Sequence, residues 1–179
     1  MKKFSWPLLV LTIALTACAG DGDKDANVPP PPPRKCPQVA ILRELETIRD
    51  YGAEAPDPSA LVATGHMGHV EGQCEYGDDG LEISYDLALQ AQKGPRLGGD
   101  SVSFPFFVSV IRPDNSILSK ELMTASFTFK EGLPLAEQVQ PLRVFLPLEE
   151  DEDASDFRIL MGFQLTEAQI KAERAGAEP

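Results

Sequence analysis

Leu81-Glu82-Ile83-Ser84-Tyr85-Asp86-Leu87-Ala88-Leu89-Gln90-Ala91-Gln92 is the stretch that decides the fold. Leu81, Ile83, Tyr85, Leu87, Leu89 and Ala91 fall on one side of an extended chain. Glu82, Ser84, Asp86, Ala88, Gln90 and Gln92 fall on the other. Strict alternation of this length is the period of a half-buried strand, not the 3.6-residue period of a helix. The run is entered through Gly77-Asp78-Asp79-Gly80, whose composition is that of a turn. It leaves through Lys93-Gly94-Pro95-Arg96, a second turn with two solvated positive charges.

The same period recurs outward from this strand. Phe104, Phe106, Val108 and Val110 form a second stripe. Arg112-Pro113-Asp114-Asn115-Ser116 is turn chemistry, and a strand from Ile117 returns through Met123, Ala125, Phe127 and Phe129. Further strands are expected over Leu142–Leu148 and Ile159–Leu165. On the N-terminal side, a Gly-rich extended segment runs from Val62 to Tyr76 with Val70, Cys74 and Tyr76 on one face, and short strands are expected near Val39–Leu42 and Thr47–Tyr51. Pro105 and Pro147 cannot donate to a ladder, so their strands are expected at edges or bulges. About seven strands at roughly ten-residue spacing predict an all-β chain: an antiparallel β-sandwich, immunoglobulin-like or transthyretin-like, with an up-and-down barrel as the alternative. Thr166-Glu167-Ala168-Gln169 has the capping-box pattern and predicts a short C-terminal helix.

The chain has 179 residues, 42% hydrophobic and 25% charged, enough apolar content for a core and too much for wholesale disorder. Its net charge of −12 disfavours nucleic acid and anionic lipid headgroups as ligands. Sixteen prolines and 14 glycines fit many turns and few long helices.

Met1-Lys2-Lys3 is a short basic start, and Phe4 to Ala17 is apolar. That combination reads as a signal peptide over residues 1–17, too short to span a bilayer. It ends Leu15-Thr16-Ala17-Cys18, which resembles the lipobox of bacterial lipoproteins. The resemblance implies cleavage before Cys18 and lipidation of that cysteine, giving a multi-chain anchor that holds a membrane far more firmly than one acyl chain. Ala19 stands where an aspartate would favour inner-membrane retention, so the outer membrane is expected. Residues 18–35 are expected to be a disordered tether, stiffened by the polyproline run Pro29 to Pro33. The folded domain is then expected over residues 36–179.

With Cys18 lipidated, Cys36 and Cys74 remain. An even pair in an oxidising compartment predicts a structural disulfide, worth roughly 4 kcal/mol for a loop of this length. Several segments also resemble a group of lipoproteins from alphaproteobacteria: Cys36-Pro37 after a proline-rich tether, Gly72-Gln73-Cys74-Glu75-Tyr76, Lys93-Gly94-Pro95-Arg96, Phe106-Phe107-Val108-Ser109-Val110 and Gly162-Phe163-Gln164-Leu165-Thr166. The resemblance covers nearly the whole domain and implies an envelope lipoprotein. It implies no activity.

Three motifs bear on chemistry. His66 and His69, with Met67 between, suggest copper or zinc, but residues three apart in a regular strand point to opposite faces and would not share one ion. Gly99-Asp100-Ser101-Val102-Ser103 has the look of an esterase nucleophile block. Both histidines precede Ser101, however, and no downstream base is present to activate it. Glu149, Glu150, Asp151, Glu152 and Asp153 form an acidic run without the spacing of a calcium loop; it is expected to be a solvated hairpin loop and a candidate surface for a basic partner. No catalytic residue, metal site or cofactor is expected. The sequence thus predicts a non-enzymatic, outer-membrane-anchored periplasmic lipoprotein that acts as a protein-interaction module, with membrane attachment through Cys18, an envelope protein as partner, and no nucleic acid. The alternative is a metal-binding or stress-sensing envelope lipoprotein using His66, Met67 and His69.

Overall fold

A computed structural model describes residues 34–52, 57–149 and 152–176. The run at 81–92 forms β4 (Gly80–Lys93), flanked by β3 (Ala63–Tyr76) and β7 (Leu135–Pro147). β2 (Thr47–Asp50) completes this sheet, in the order β2-β3-β4-β7, all antiparallel. A second four-stranded sheet has the order β1-β8-β5-β6, from β1 (Gln38–Ile41), β8 (Arg158–Phe163), β5 (Ser101–Ile111) and β6 (Ile117–Thr128). Two separate sheets make a sandwich and exclude the barrel. One pairing departs from the antiparallel expectation: β1 runs parallel to β8.

The core lies between the sheets. The odd-numbered residues of β4 from Leu81 to Ala91 are all buried, and burying each large apolar side chain contributes about 1.5–3 kcal/mol. Phe104 of β5 packs between Phe127 and Phe163, with ring centroids 6.1 Å and 5.8 Å away. The outward row of β5 is covered too: Phe107, Ser109 and Ile111 are buried. Lys120 lies over the Phe107 ring at 4.3 Å and donates to Gln164 Oε1 at 2.9 Å, so its stem shields the ring while its charge is held at the rim.

The turn at 112–116 forms as its composition predicts. Asn115 takes a positive φ of 68° and Ser116 N donates to Asp114 Oδ1 at 2.8 Å. The capping box forms as well. Gln169 N donates to Thr166 Oγ1 at 3.3 Å and Thr166 N to Gln169 Oε1 at 2.8 Å, starting α1 (Glu167–Gly176). Gln169 Nε2 then reaches Arg49 O at 3.2 Å and Ile170 packs on the core, which docks the helix at the β2 end of the sandwich.

The two prolines behave differently. β7 is an edge strand, as Pro147 requires. β5, which carries Pro105, is an interior strand, so the edge alternative fails there; its pairing with β6 does carry a register shift, but between Val110 and Ile111 rather than at the proline. The exception is local. β5 pairs with β8 only from Phe106 onward, so the missing Pro105 donor faces the chain just after β8, where Gln164 N donates back to Pro105 O at 2.9 Å. Among the described residues no helix is long and apolar enough to cross a membrane.

Candidate functional site

The N-terminal entry to the sandwich is clasped to β3. Cys36 and Cys74 are joined in a disulfide with Cα atoms 5.9 Å apart, inside the usual range. Two residues on, Tyr76 Oη donates to Lys35 O at 2.6 Å and the Arg34 guanidinium lies 5.0 Å from the Tyr76 ring centre. Partial burial, the nearby Asp153 charge adding to it, raises the Tyr76 phenol above its ordinary value. Arg34 and Lys35, expected in the loose tether, are therefore docked on the sheet. The anchoring residue Cys18 and the rest of the tether lie outside the described residues.

Glu149, Glu152 and Asp153 of the acidic run are exposed, while Glu150 and Asp151 lie outside the described residues. This run is not a hairpin loop, because β7 and β8 belong to different sheets; it crosses from one to the other. Glu149 N donates to Glu152 Oε2 at 3.0 Å and Glu152 N to Glu149 O at 3.1 Å. Asp153 accepts from Ser155 N at 2.9 Å and caps the short turn Ala154–Asp156. That bond and the Ser155 hydroxyl, helped by the Lys35 charge, hold its carboxyl below the ordinary range. The acidic crossover and the basic Arg34-Lys35 entry thus meet beside Tyr76.

The histidine expectation needs correction in its geometry. β3 carries a bulge between Met67 and Val70, which adds a residue to one strand and resets the alternation. Ala63, Gly65 and Met67 point inward before it; Val70, Cys74 and Tyr76 do so after it. His66 and His69 therefore both lie on the exposed outer side rather than on opposite faces. His66 Nδ1 is 3.3 Å from Thr47 Oγ1, and His69 Nε2 is 3.7 Å from Glu71 Oε1. Met67 is 1% exposed and belongs to the core, so it cannot join them at the surface. No group of three or more His, Cys, Asp or Glu ligands occurs among the described residues.

Ser101 opens β5 opposite Thr128, in the sheet that does not contain the histidines. The turn at 93–96 is stitched to the chain before β3: Gly94 N donates to Val62 O at 2.9 Å and Arg96 N to Leu61 O at 3.0 Å. Open depressions of about 600 Å³ and about 490 Å³ lie near the β6–β7 turn and over the β3–β4–β7 face, and neither is lined by a histidine or cysteine.

The surface that the sequence reading missed is β7. Its first half, Leu135 to Gln140, places Leu135 and Val139 outward and Gln138 and Gln140 inward. The signal was present as apolar alternation, but in the opposite phase to Leu142, Val144 and Leu146. Comparison with known protein families, characterised proteins and solved structures finds no match to this chain.

Proposed function

We propose that the chain is a lipid-anchored envelope protein, held through Cys18 at the outer membrane and facing the periplasm, whose sandwich serves protein interaction rather than catalysis. The reading rests on the run Leu15-Thr16-Ala17-Cys18 at the end of a 14-residue apolar stretch, followed by a proline-rich spacer and a disulfide-clasped domain. A sandwich needs neither lipid nor spacer to be stable. Fixing it at a membrane raises its effective concentration for a ligand held there, without adding contacts. The acidic charge directs the choice toward a protein with a basic face, met by Glu149, Glu150, Asp151, Glu152 and Asp153.

Crosslinking in the native envelope, followed by identification of the captured chain, tests the reading. Capture of a recurring envelope protein is expected, and it weakens when Glu149 to Asp153 are neutralised, more so at low salt. Capture indifferent to that series removes the acidic run from the interface. Specific turnover of a substrate by the purified chain overturns the non-enzymatic reading.

A further inference from the structure

Among the described residues β7 (Leu135–Pro147) is the open edge of its sheet, and its ladder to β4 fixes which of its backbone groups have no partner there. Lys93 N donates to Pro134 O at 2.8 Å, and Gln92 stands opposite Leu135. Even-numbered β7 residues therefore turn their N–H and C=O groups toward β4, and odd-numbered residues turn theirs to the open side. Pro141 and Pro147 belong to the open set, where a missing donor takes nothing from β4. The same odd-numbered residues carry the exposed side chains, since burial alternates strictly along the strand.

In order, that outer row is Leu135, Glu137, Val139, Pro141, Arg143, Phe145. From either end it runs apolar, charged, apolar, and the two charges have opposite sign. A second copy laid antiparallel with the twofold axis at Gln140 sets Leu135 against Phe145, Glu137 against Arg143 and Val139 against Pro141, each pair twice. Shifting the axis to Val139 sets Leu135 against Arg143; shifting it to Pro141 sets Glu137 against Phe145. The Gln140 register alone pairs the charges.

We propose that this edge is a self-complementary interface through which two copies of this chain join β7 to β7, merging two four-stranded sheets into one. A twofold interface of this kind must use the same patch on both copies, and this row meets that condition. Among the described residues the exposed large apolar side chains are Ile117, Leu122, Leu133, Leu135, Val139 and Phe145, all on β6, β7 or their connection. On this edge of 13 residues Leu135, Val139 and Phe145 are between 46% and 63% exposed, and the charges that guard it against other strands, Glu137 and Arg143, become a matched pair in the Gln140 register. The net charge of −12 on each copy opposes indiscriminate association, which leaves a matched edge as the attractive element. The inference is independent of the anchoring proposal.

Sedimentation equilibrium of the full chain in density-matched detergent tests it. Glu137→Arg and Arg143→Glu each place like charges in both symmetric pairs, and each weakens self-association by roughly tenfold. The double variant restores it. Residue 140 faces its own counterpart in a non-hydrogen-bonded pair, with Cα atoms about 4.5 Å apart. A Gln140→Cys chain therefore forms a disulfide-linked dimer on mild oxidation. Gln138→Cys, which faces Leu142 of the second copy, does not. A chain that stays monomeric, association indifferent to both charge reversals, or Gln138→Cys bridging as readily as Gln140→Cys overturns the proposal.

Discussion

The ring of Tyr85 occupies the space that any side chain at Gly72 would need: a Cβ there would lie 2.2 Å from Tyr85 Cδ1 and 2.5 Å from Ser84 O. Gly72 stands opposite Tyr85 in the β3–β4 ladder, and the aromatic ring folds across it. Gly72→Ala forces ring and backbone apart and is expected to cost about 1–3 kcal/mol, the range for overpacked cores. Denaturant unfolding measures it, and an unchanged midpoint would show that the ring has room to move.

The Tyr85 hydroxyl is buried and has no hydrogen-bond partner among the described residues. An unsatisfied buried polar group costs about 1–3 kcal/mol, so Tyr85→Phe is expected to leave stability unchanged or raise it by about 1 kcal/mol. Burial also pushes the phenol above its ordinary value of 10.0. The unfolded chain then ionises first as pH rises, and the native state retains its proton. Stability is therefore unaffected below about pH 10 and falls above it. In Tyr85→Phe that alkaline loss shrinks, leaving the smaller share from Tyr76. Thermal melts across pH 8 to 12 check both signs.

Reduction of Cys36–Cys74, or replacement of both cysteines by serine, is expected to lower stability by roughly 4 kcal/mol. The loss reaches beyond chain entropy, because the clasp of Arg34 and Lys35 on Tyr76 depends on the same entry point. Thiol titration of the unfolded chain should find neither cysteine free without reductant and both with it. Free thiols in the absence of reductant would contradict the pairing.

His66→Ala with His69→Ala is expected to leave the response of the melting temperature to added Zn²⁺ or Cu²⁺ unchanged, because Met67 is buried and no third ligand accompanies the pair among the described residues. A saturable metal-induced rise that disappears in the double variant would establish the metal-handling alternative.

How much of this was legible follows residue by residue. β4 was readable because every inward position carries an apolar side chain. The bulge in β3 was hidden, since Gly68 lies in it, Gly65 and Gly72 flank it, and none of the three shows a polarity from which phase can be read. The first half of β7 was hidden for the opposite reason: its large apolar residues, Leu135 and Val139, face solvent, and its glutamines face the core side beside Ala136. The parallel β1–β8 pairing joins segments from the two ends of the domain, and nothing local encodes such a partner. At the candidate sites, the Cys36–Cys74 pair was readable from the cysteine count. The contacts of Arg34, Lys35 and Asp153 around Tyr76 were not, because they depend on where the crossover between sheets lands.

The claim on which the functional reading stands is the lipid on Cys18, and mass spectrometry of the N-terminal peptide from the native membrane fraction tests it most directly. The account predicts a peptide beginning at Cys18 with its thiol thioether-linked to diacylglycerol and its amine acylated, and a Cys18→Ser chain that leaves the membrane fraction or stays uncut. A mature N-terminus at another residue, or an unmodified Cys18 in a chain that still fractionates with the outer membrane, would contradict it.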